Sequence, residues 1–455
     1  MKSVKQKISR RNMLKLAGGL SAGALAACAA PPAAPAAPGA APAAPAVVSE
    51  TGSTTTIVHW GFSGGNLEKR EKELAAMYNA SQKDVKVDIQ VQGNYEETAN
   101  KLTAALAAKQ APDMVLLSDV WWFKFVRAKA LMSLNDLIAA EKGIDQKDFI
   151  ESLWNEGVRK GAQYWIPFAR STPLFYYNKD MLKAAGFEEA PKTWTDLATY
   201  AEKLTQRDGD TVKVAGFSHP DGASYIAWLF QCVAWAFGGG YSTPDLSQFK
   251  LLEADTVRAA QFYADSVNKG KWATLSKAVD TDFKSGLTAM ALMSTGSLGG
   301  VLADAKFEVA TAFLPSDKTF GCCTGGSGLS IPVTTSPEKA QAAMKYIAYA
   351  TGNEGGAFWS QNSGYVPVRK STAESQSYKD FFAAKPQFKT AVEQLPKTQP
   401  QDAARNFIAG GDNIIGKGLE RIIVGKEDVT KVWTDITAQL EQAGEPVKKD
   451  IAALG

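Results

Sequence analysis

Thr56-Ile57-Val58-His59-Trp60-Gly61-Phe62, Val85-Lys86-Val87-Asp88-Ile89-Gln90-Val91 and Asp113-Met114-Val115-Leu116-Leu117 are three strand-like runs separated by two helix-length stretches. The second run alternates apolar and polar residues, as a half-buried strand does. In the first gap Asn66 stands at a helix start, and Leu67, Leu74, Met77 and Tyr78 fall on one face. In the second gap Leu102 and Leu106 mark another helix. Strand, helix, strand, helix, strand at this spacing predicts an α/β fold with parallel pairing.

The same alternation continues outward. Strands are expected at Gln163–Ala169, Leu174–Tyr177, Ala289–Ser294, Val309–Phe313 and Leu329–Val333. Thr193-Trp194-Thr195-Asp196 is a capping-box start for a helix that buries Leu197, Tyr200, Ala201 and Leu204. Ala223–Phe237 is apolar almost all round, the pattern of a buried helix. Ser336-Pro337-Glu338 opens a helix with proline in its first turn. The last hundred residues carry Leu419, Ile422, Ile423, Val432, Trp433, Ile436 and Leu440 in helical register. The chain has 455 residues, room for two or three domains of roughly 100–200 residues each.

Upstream of this body, residues 1–27 hold six basic side chains and no acid, followed by a short apolar run from Leu16 to Ala27. That run is too short to remain in a bilayer, and the order reads as an export signal. Ser9-Arg10-Arg11-Asn12-Met13-Leu14-Lys15 resembles a twin-arginine motif, and Leu25-Ala26-Ala27-Cys28 resembles a lipobox. The expectation is a lipoprotein anchored through Cys28 on the outer face of a bacterial cytoplasmic membrane. Residues 28–53 would then be a tether. Residues 29–46 are Ala, Pro and one Gly, a composition that favours extended polyproline II over a packed core.

Without the six basic residues of that leader, 44 basic side chains face 47 acidic ones. A body of that balance lacks the basic footprint a nucleic-acid binder needs. Two histidines, His59 and His219, leave little from which to build a hydrolytic triad or a poly-His metal site. There is no phosphate-cradling G-x-x-x-x-G-K-[ST] loop and no H-E-x-x-H. Cys322 and Cys323 are adjacent, the wrong spacing for zinc. They read as buried thiols, with a disulfide from one of them to Cys232 as the alternative. No cofactor and no metal are expected. Eleven tryptophans supply flat binding surfaces.

Ser171-Thr172-Pro173-Leu174-Phe175-Tyr176-Tyr177-Asn178-Lys179-Asp180 and Pro191-Lys192-Thr193-Trp194-Thr195-Asp196-Leu197 resemble the signature of family 1 extracellular solute-binding proteins, the receptors of ABC importers. Gln92-Gly93-Asn94-Tyr95-Glu96, Ser294-Thr295-Gly296-Ser297-Leu298, Gly325-Gly326 and Gly364-Tyr365-Val366-Pro367 are similar to the branch that binds glycerol 3-phosphate and glycerophosphodiesters. The resemblance runs in order through nearly the whole body. It implies a two-lobed periplasmic-binding-protein fold (type II), with hinge-linked lobes and a ligand cleft. The lobes are expected at 54–170 with 289–330 and at 171–288 with 331–455, with crossings near Arg170, Thr288 and Ser330. It implies a monomer that binds a small polar solute, delivers it to permease subunits and performs no catalysis.

Carried over residue by residue, the resemblance implies that Tyr95 and Tyr365 stack on or hydrogen-bond the ligand, and that Asp119 accepts from glycerol hydroxyls. Ser171, Ser294 and Ser297 would offer hydroxyls and Gly326 a backbone amide. Arg405 would read the phosphate, its donor fork matching the anion's oxygens. Trp121, Trp122 and Tyr225 are the aromatic faces available to a quaternary ammonium, though neighbouring tryptophans on one helix cannot both face the cleft. Asp119 has a second reading, as cap of a helix beginning at Val120. Other functions fit parts of the pattern: a mono- or oligosaccharide receptor, a carbohydrate-active enzyme using paired carboxylates, or a lipoprotein scaffold without a small ligand.

Overall fold

The computed structural model describes residues 54–223 and 225–454. The expected signal segment, Cys28 and the tether lie outside the described residues. β1 (Thr55–Gly61), β2 (Val85–Val91) and β3 (Met114–Ser118) pair in parallel through the helices Gly65–Ser81 and Tyr95–Ala107. The first of these helices is preceded by Gly64, at a φ of 79°, rather than capped by Asn66. Asn66 instead donates to the Asn362 carbonyl at 3.0 Å. The second opens on a capping box of Asn94 and Glu97, which fixes the adjacent Tyr95 at the helix start.

A small hairpin, β4 (Val158–Arg159) with β5 (Ala162–Gln163), leads to β6 (Ile166–Ser171). One residue later β7 (Pro173–Asn178) begins in a different sheet. β8 (Gln206–Asp208), β9 (Thr211–Pro220), β10 (Ala273–Ser276), β11 (Thr288–Ser294) and β12 (Val309–Ala312) stay in that second sheet, and β13 (Gly325–Ser330) returns to the first. The orders are β2-β1-β3-β13-β6 and β10-β9-β11-β7-β12, with β8 beside β9. Each sheet joins three parallel strands to two that continue with antiparallel pairing.

This topology differs from the expected lobe division. β11 and β12, within the segment 289–330, hydrogen-bond in the second sheet, so no crossing occurs at Thr288, which pairs with Ala215. The return crossing lies between Ala312 and Gly325, ahead of Ser330. Nor does 331–455 stay with one sheet. The helix Pro337–Thr351 packs on β1 and β6, and Asn353–Ser363 packs on Gly65–Ser81. The chain rejoins the second sheet near Gln387, which donates to the Val309 carbonyl at 3.0 Å. An apolar run such as Ala289-Met290-Ala291-Leu292-Met293 suits any buried strand position, and only tertiary partners decide which sheet takes it.

The strand expected at Leu329–Val333 begins earlier, in the glycine-rich stretch. β13 lies between β3 and β6, and a Cβ at Gly326 would collide with the Ala169 carbonyl and one at Gly328 with that of Ile166. Glycine is what lets the backbones approach. Every described side chain of the helix Ile226–Phe237 is buried, as its all-round apolar pattern requires.

Candidate functional site

A cleft of about 470 Å³ opens at the carboxyl ends of the strands. Open α/β sheets hold ligands there because side chains from several loops converge at one edge. Eight of the nine ligand-site candidates line it: Tyr95, Asp119, Ser171, Tyr225, Ser294, Gly326, Tyr365 and Arg405. Ser297 does not. It closes the short turn Thr295–Ser297 ahead of the helix Leu298–Asp304, and the turn is capped by Ser294, whose Oγ accepts from the Gly296 N–H at 3.1 Å.

On the first-sheet side, the Tyr95 hydroxyl donates to Ser327 Oγ at 3.2 Å. Burial pushes its pKa up to about 12, so the phenol is a donor at any physiological pH. Tyr365 is pushed up by the same cause. Its ring packs against Phe62 and Trp359, and the N–H of Val366 bonds the Arg170 carbonyl in β6 at 2.9 Å. Tyr365 therefore sits with the first sheet, although chain order placed it in the other lobe. Asp119 does not cap a helix: the helix starts at Trp122 with no side-chain cap. Its carboxylate accepts from Gln401 Nε2 at 2.6 Å, and its backbone N–H donates to the Gly326 carbonyl at 3.0 Å.

On the other side, Arg405 is 5 % exposed and donates through Nε to Asp412 Oδ1 at 2.6 Å and through Nη1 to Gln401. Asp119 Oδ2 lies 3.9 Å from Nη1. Burial works against the charge of Arg405, but Asp412 and Asp119 more than offset it, so the guanidinium stays cationic. Tyr225 donates to Asp280 at 3.0 Å. Trp121 lines the cleft, whereas Trp122 turns inward and stacks on Trp165, with ring centroids 6.0 Å apart.

Sequence reasoning missed Phe62, Glu96, Trp228, Asp412 and Asn413, all on the cleft wall. Trp228 lies in a helix that is apolar on every side, so periodicity gave no reason to single it out. Asp412 and Asn413 did carry a signal: Gly410 takes a φ of 81° directly before a helix that starts with Gly411-Asp412-Asn413. Asn413 Nδ2 reaches Glu96 Oε2 at 2.9 Å, which links the two sides at the rim. Among the described residues no group of three His, Cys, Asp or Glu side chains is placed to hold a metal. Cys232 and Cys323 are buried free thiols with their sulfurs 3.4 Å apart, and Cys322 is also free.

A model of the family described as bacterial extracellular solute-binding protein matches residues 73–390. The chain belongs to that family. This solute-binding protein is 27% identical over 403 residues to the sn-glycerol-3-phosphate-binding periplasmic protein UgpB of Escherichia coli (strain K12), a match covering 84% of this chain and 88% of that protein. Its fold is similar to that of UgpB from Mycobacterium tuberculosis, solved in complex with glycerophosphocholine. The TM-score is 0.81 at 36% identity, over 86% of this chain and 98% of the other. Maltose-bound MalE3 of T. maritima shares the fold, with a TM-score of 0.75 at 22% identity over 85% of this chain and 99% of the other. The two-sheet α/β architecture is thus that of two-lobed periplasmic binding proteins.

Proposed function

We propose that this protein captures glycerophosphodiesters or glycerol 3-phosphate in the cleft, closes over them and hands them to an ABC permease, acting by binding alone. The observation that carries the reading is Arg405, a buried cation on the cleft wall facing the carboxylate of Asp119. A phosphate joined to glycerol needs both: a guanidinium fork for the anion and an acceptor for the hydroxyls. A neutral sugar does not need the first as an anion partner. Tyr95, Tyr365 and Ser171 supply further hydroxyls, and the Gly326 backbone borders the same space. Trp121, Tyr225 and Trp228 give faces to a choline group. The names of the UgpB relatives, and the glycerophosphocholine bound to one of them, support the same ligand class.

Calorimetric titration with glycerol 3-phosphate, glycerophosphocholine and maltose tests it. Wild type is expected to bind a phosphate ligand, and Arg405→Ala to bind it roughly ten- to a hundred-fold more weakly. Tight maltose binding, no phosphate binding and a silent Arg405→Ala would establish the sugar-receptor alternative instead. We also propose that the protein is a monomer held to the membrane through Cys28. Cys28→Ser is expected to appear in the soluble fraction or to remain unprocessed, and a membrane-bound, shortened variant would refute the anchor.

A further inference from the structure

Arg170 is wholly buried, one residue before the cleft-lining Ser171. Three cleft segments meet at its backbone. It pairs with Gly326 across β6 and β13, its carbonyl accepts from the residue after Tyr365, and Ser171 follows it. The guanidinium lies over the Trp165 ring, 4.7 Å from the centroid. Nη2 donates to Glu156, whose other oxygen accepts from Thr324 Oγ1 at 2.8 Å. Nε and Nη1 have no hydrogen-bond partner among the described residues.

A guanidinium cannot shed its proton to escape burial. Leaving most of its N–H groups unmatched is costly, and Glu156, which balances the charge, meets only one of its nitrogens. The cleft above it has a complementary deficit. Among the described residues its wall carries Glu96, Asp119 and Asp412 against one cation, Arg405, which is already engaged by Asp412 and Gln401. An anion entering that space meets a net negative wall.

Building on the phosphate-ligand reading, we propose that Arg170 is a specificity-determining residue acting from beneath the cleft. Its guanidinium, with Nε and Nη1 unpartnered, supplies the positive potential that lets the acidic wall accept a phosphate, while Arg405 makes the direct contact. The field of Arg170 reaches both cleft phenols, where it opposes the upward push of burial and of the Asp119 carboxylate on Tyr95 and Tyr365.

The test compares two diesters that differ in net charge, anionic glycerophosphoglycerol and zwitterionic glycerophosphocholine, by calorimetry on the full chain. Arg170→Met is expected to weaken the anionic diester roughly tenfold more than the zwitterion, whose ammonium offsets part of the loss. Arg170→Lys, which keeps the charge, should stay near wild type in that ratio. Arg170→Met combined with Glu156→Gln removes both charges and leaves no stranded carboxylate, and it should still discriminate against the anionic diester. Equal losses for both diesters would mean that Arg170 only supports the fold, and the inference fails. A double variant with the wild-type ratio would assign the effect to Glu156 and also overturns it. So does a wild type that takes the zwitterion and rejects the anionic diester. If wild type binds neither diester and takes maltose, the ligand reading itself falls.

Discussion

The two sides of the cleft rest on sheets of the same strand plan, yet they present a ligand with different chemistry. The first side is built from strand ends: Ser118 and Asp119 close β3, Ser171 closes β6, and Gly326 lies in β13. Their positions are set by backbone ladders. Apart from Ser294, which closes β11, the second side is built from helix ends: Tyr225 and Trp228 at the head of a buried helix, Arg405 in the short helix Ala403–Asn406, and Asp412 and Asn413 in the next. Those groups are held largely by one another, Arg405 by Asp412 and Gln401, and Asn413 by Glu96 across the rim. The first side is rigid because it is sheet. The second can exchange its internal partners for a ligand without breaking a ladder.

The largest expected effect strikes the rigid side. Gly326 has a φ of 98°, and a Cβ there would run into the Ala169 carbonyl. Gly326→Ala should separate β13 from β6 and cost about 3 kcal/mol of stability, read by chemical denaturation. Gly410 in the second side has a φ of 81° but open space around it. Gly410→Ala should cost about 1 kcal/mol, the strain alone. Equal losses would abolish the distinction between ladder-held and partner-held walls.

A smaller effect concerns ligand affinity. Tyr95→Phe removes the donor that bonds Ser327 and keeps the ring packed near Phe62, with centroids 6.1 Å apart. Binding should weaken by roughly two- to tenfold with little change in melting temperature. Because the phenol titrates at about 12, affinity for a phosphodiester should not change through this group between about pH 6 and 9. A large stability loss would place Tyr95 in the core rather than at the ligand.

The same contrast explains what the sequence made legible. Alternation and capping motifs announced β1 to β3 and the capping box at Thr193, because those signals are local. Tyr95 and Ser171 lie in short motifs that carry the family resemblance, and Asp119 follows from the resemblance alone. Sheet membership of β11 and β12 was not legible, because apolar strands carry no mark of their partner. Tyr365 was assigned to the wrong side for the same reason: the chain returns to the first sheet after β13 with no compositional change. Trp228 was hidden because its role depends on where its helix ends in space, and the Gly410-Gly411 pair marked a helix start just before Asp412 without marking the cleft. Arg170 was read as a crossing point, and its buried guanidinium emerged only with the neighbours Trp165 and Glu156.

A last effect tests whether the partner-held side carries stored electrostatic cost. Asp402 precedes the helix that bears Arg405 and accepts from the Tyr241 N–H at 2.6 Å and Trp235 Nε1 at 3.2 Å. Burial raises its pKa to about 6, against those hydrogen bonds. The unfolded chain would ionise it near 4, so between about pH 4 and 6 the folded state binds more protons and stability falls as pH rises. Above about pH 6 the cost is fully present, at most about 3 kcal/mol for a partly buried carboxylate. Asp402→Asn keeps an acceptor oxygen for both donors and removes the titration. Its melting temperature should exceed that of wild type most at pH 7, and the gap should close as pH falls towards 4. A gap that stays constant with pH would show that Asp402 is ionised without penalty, and that the second side rests on its hydrogen bonds as securely as the first rests on its ladders.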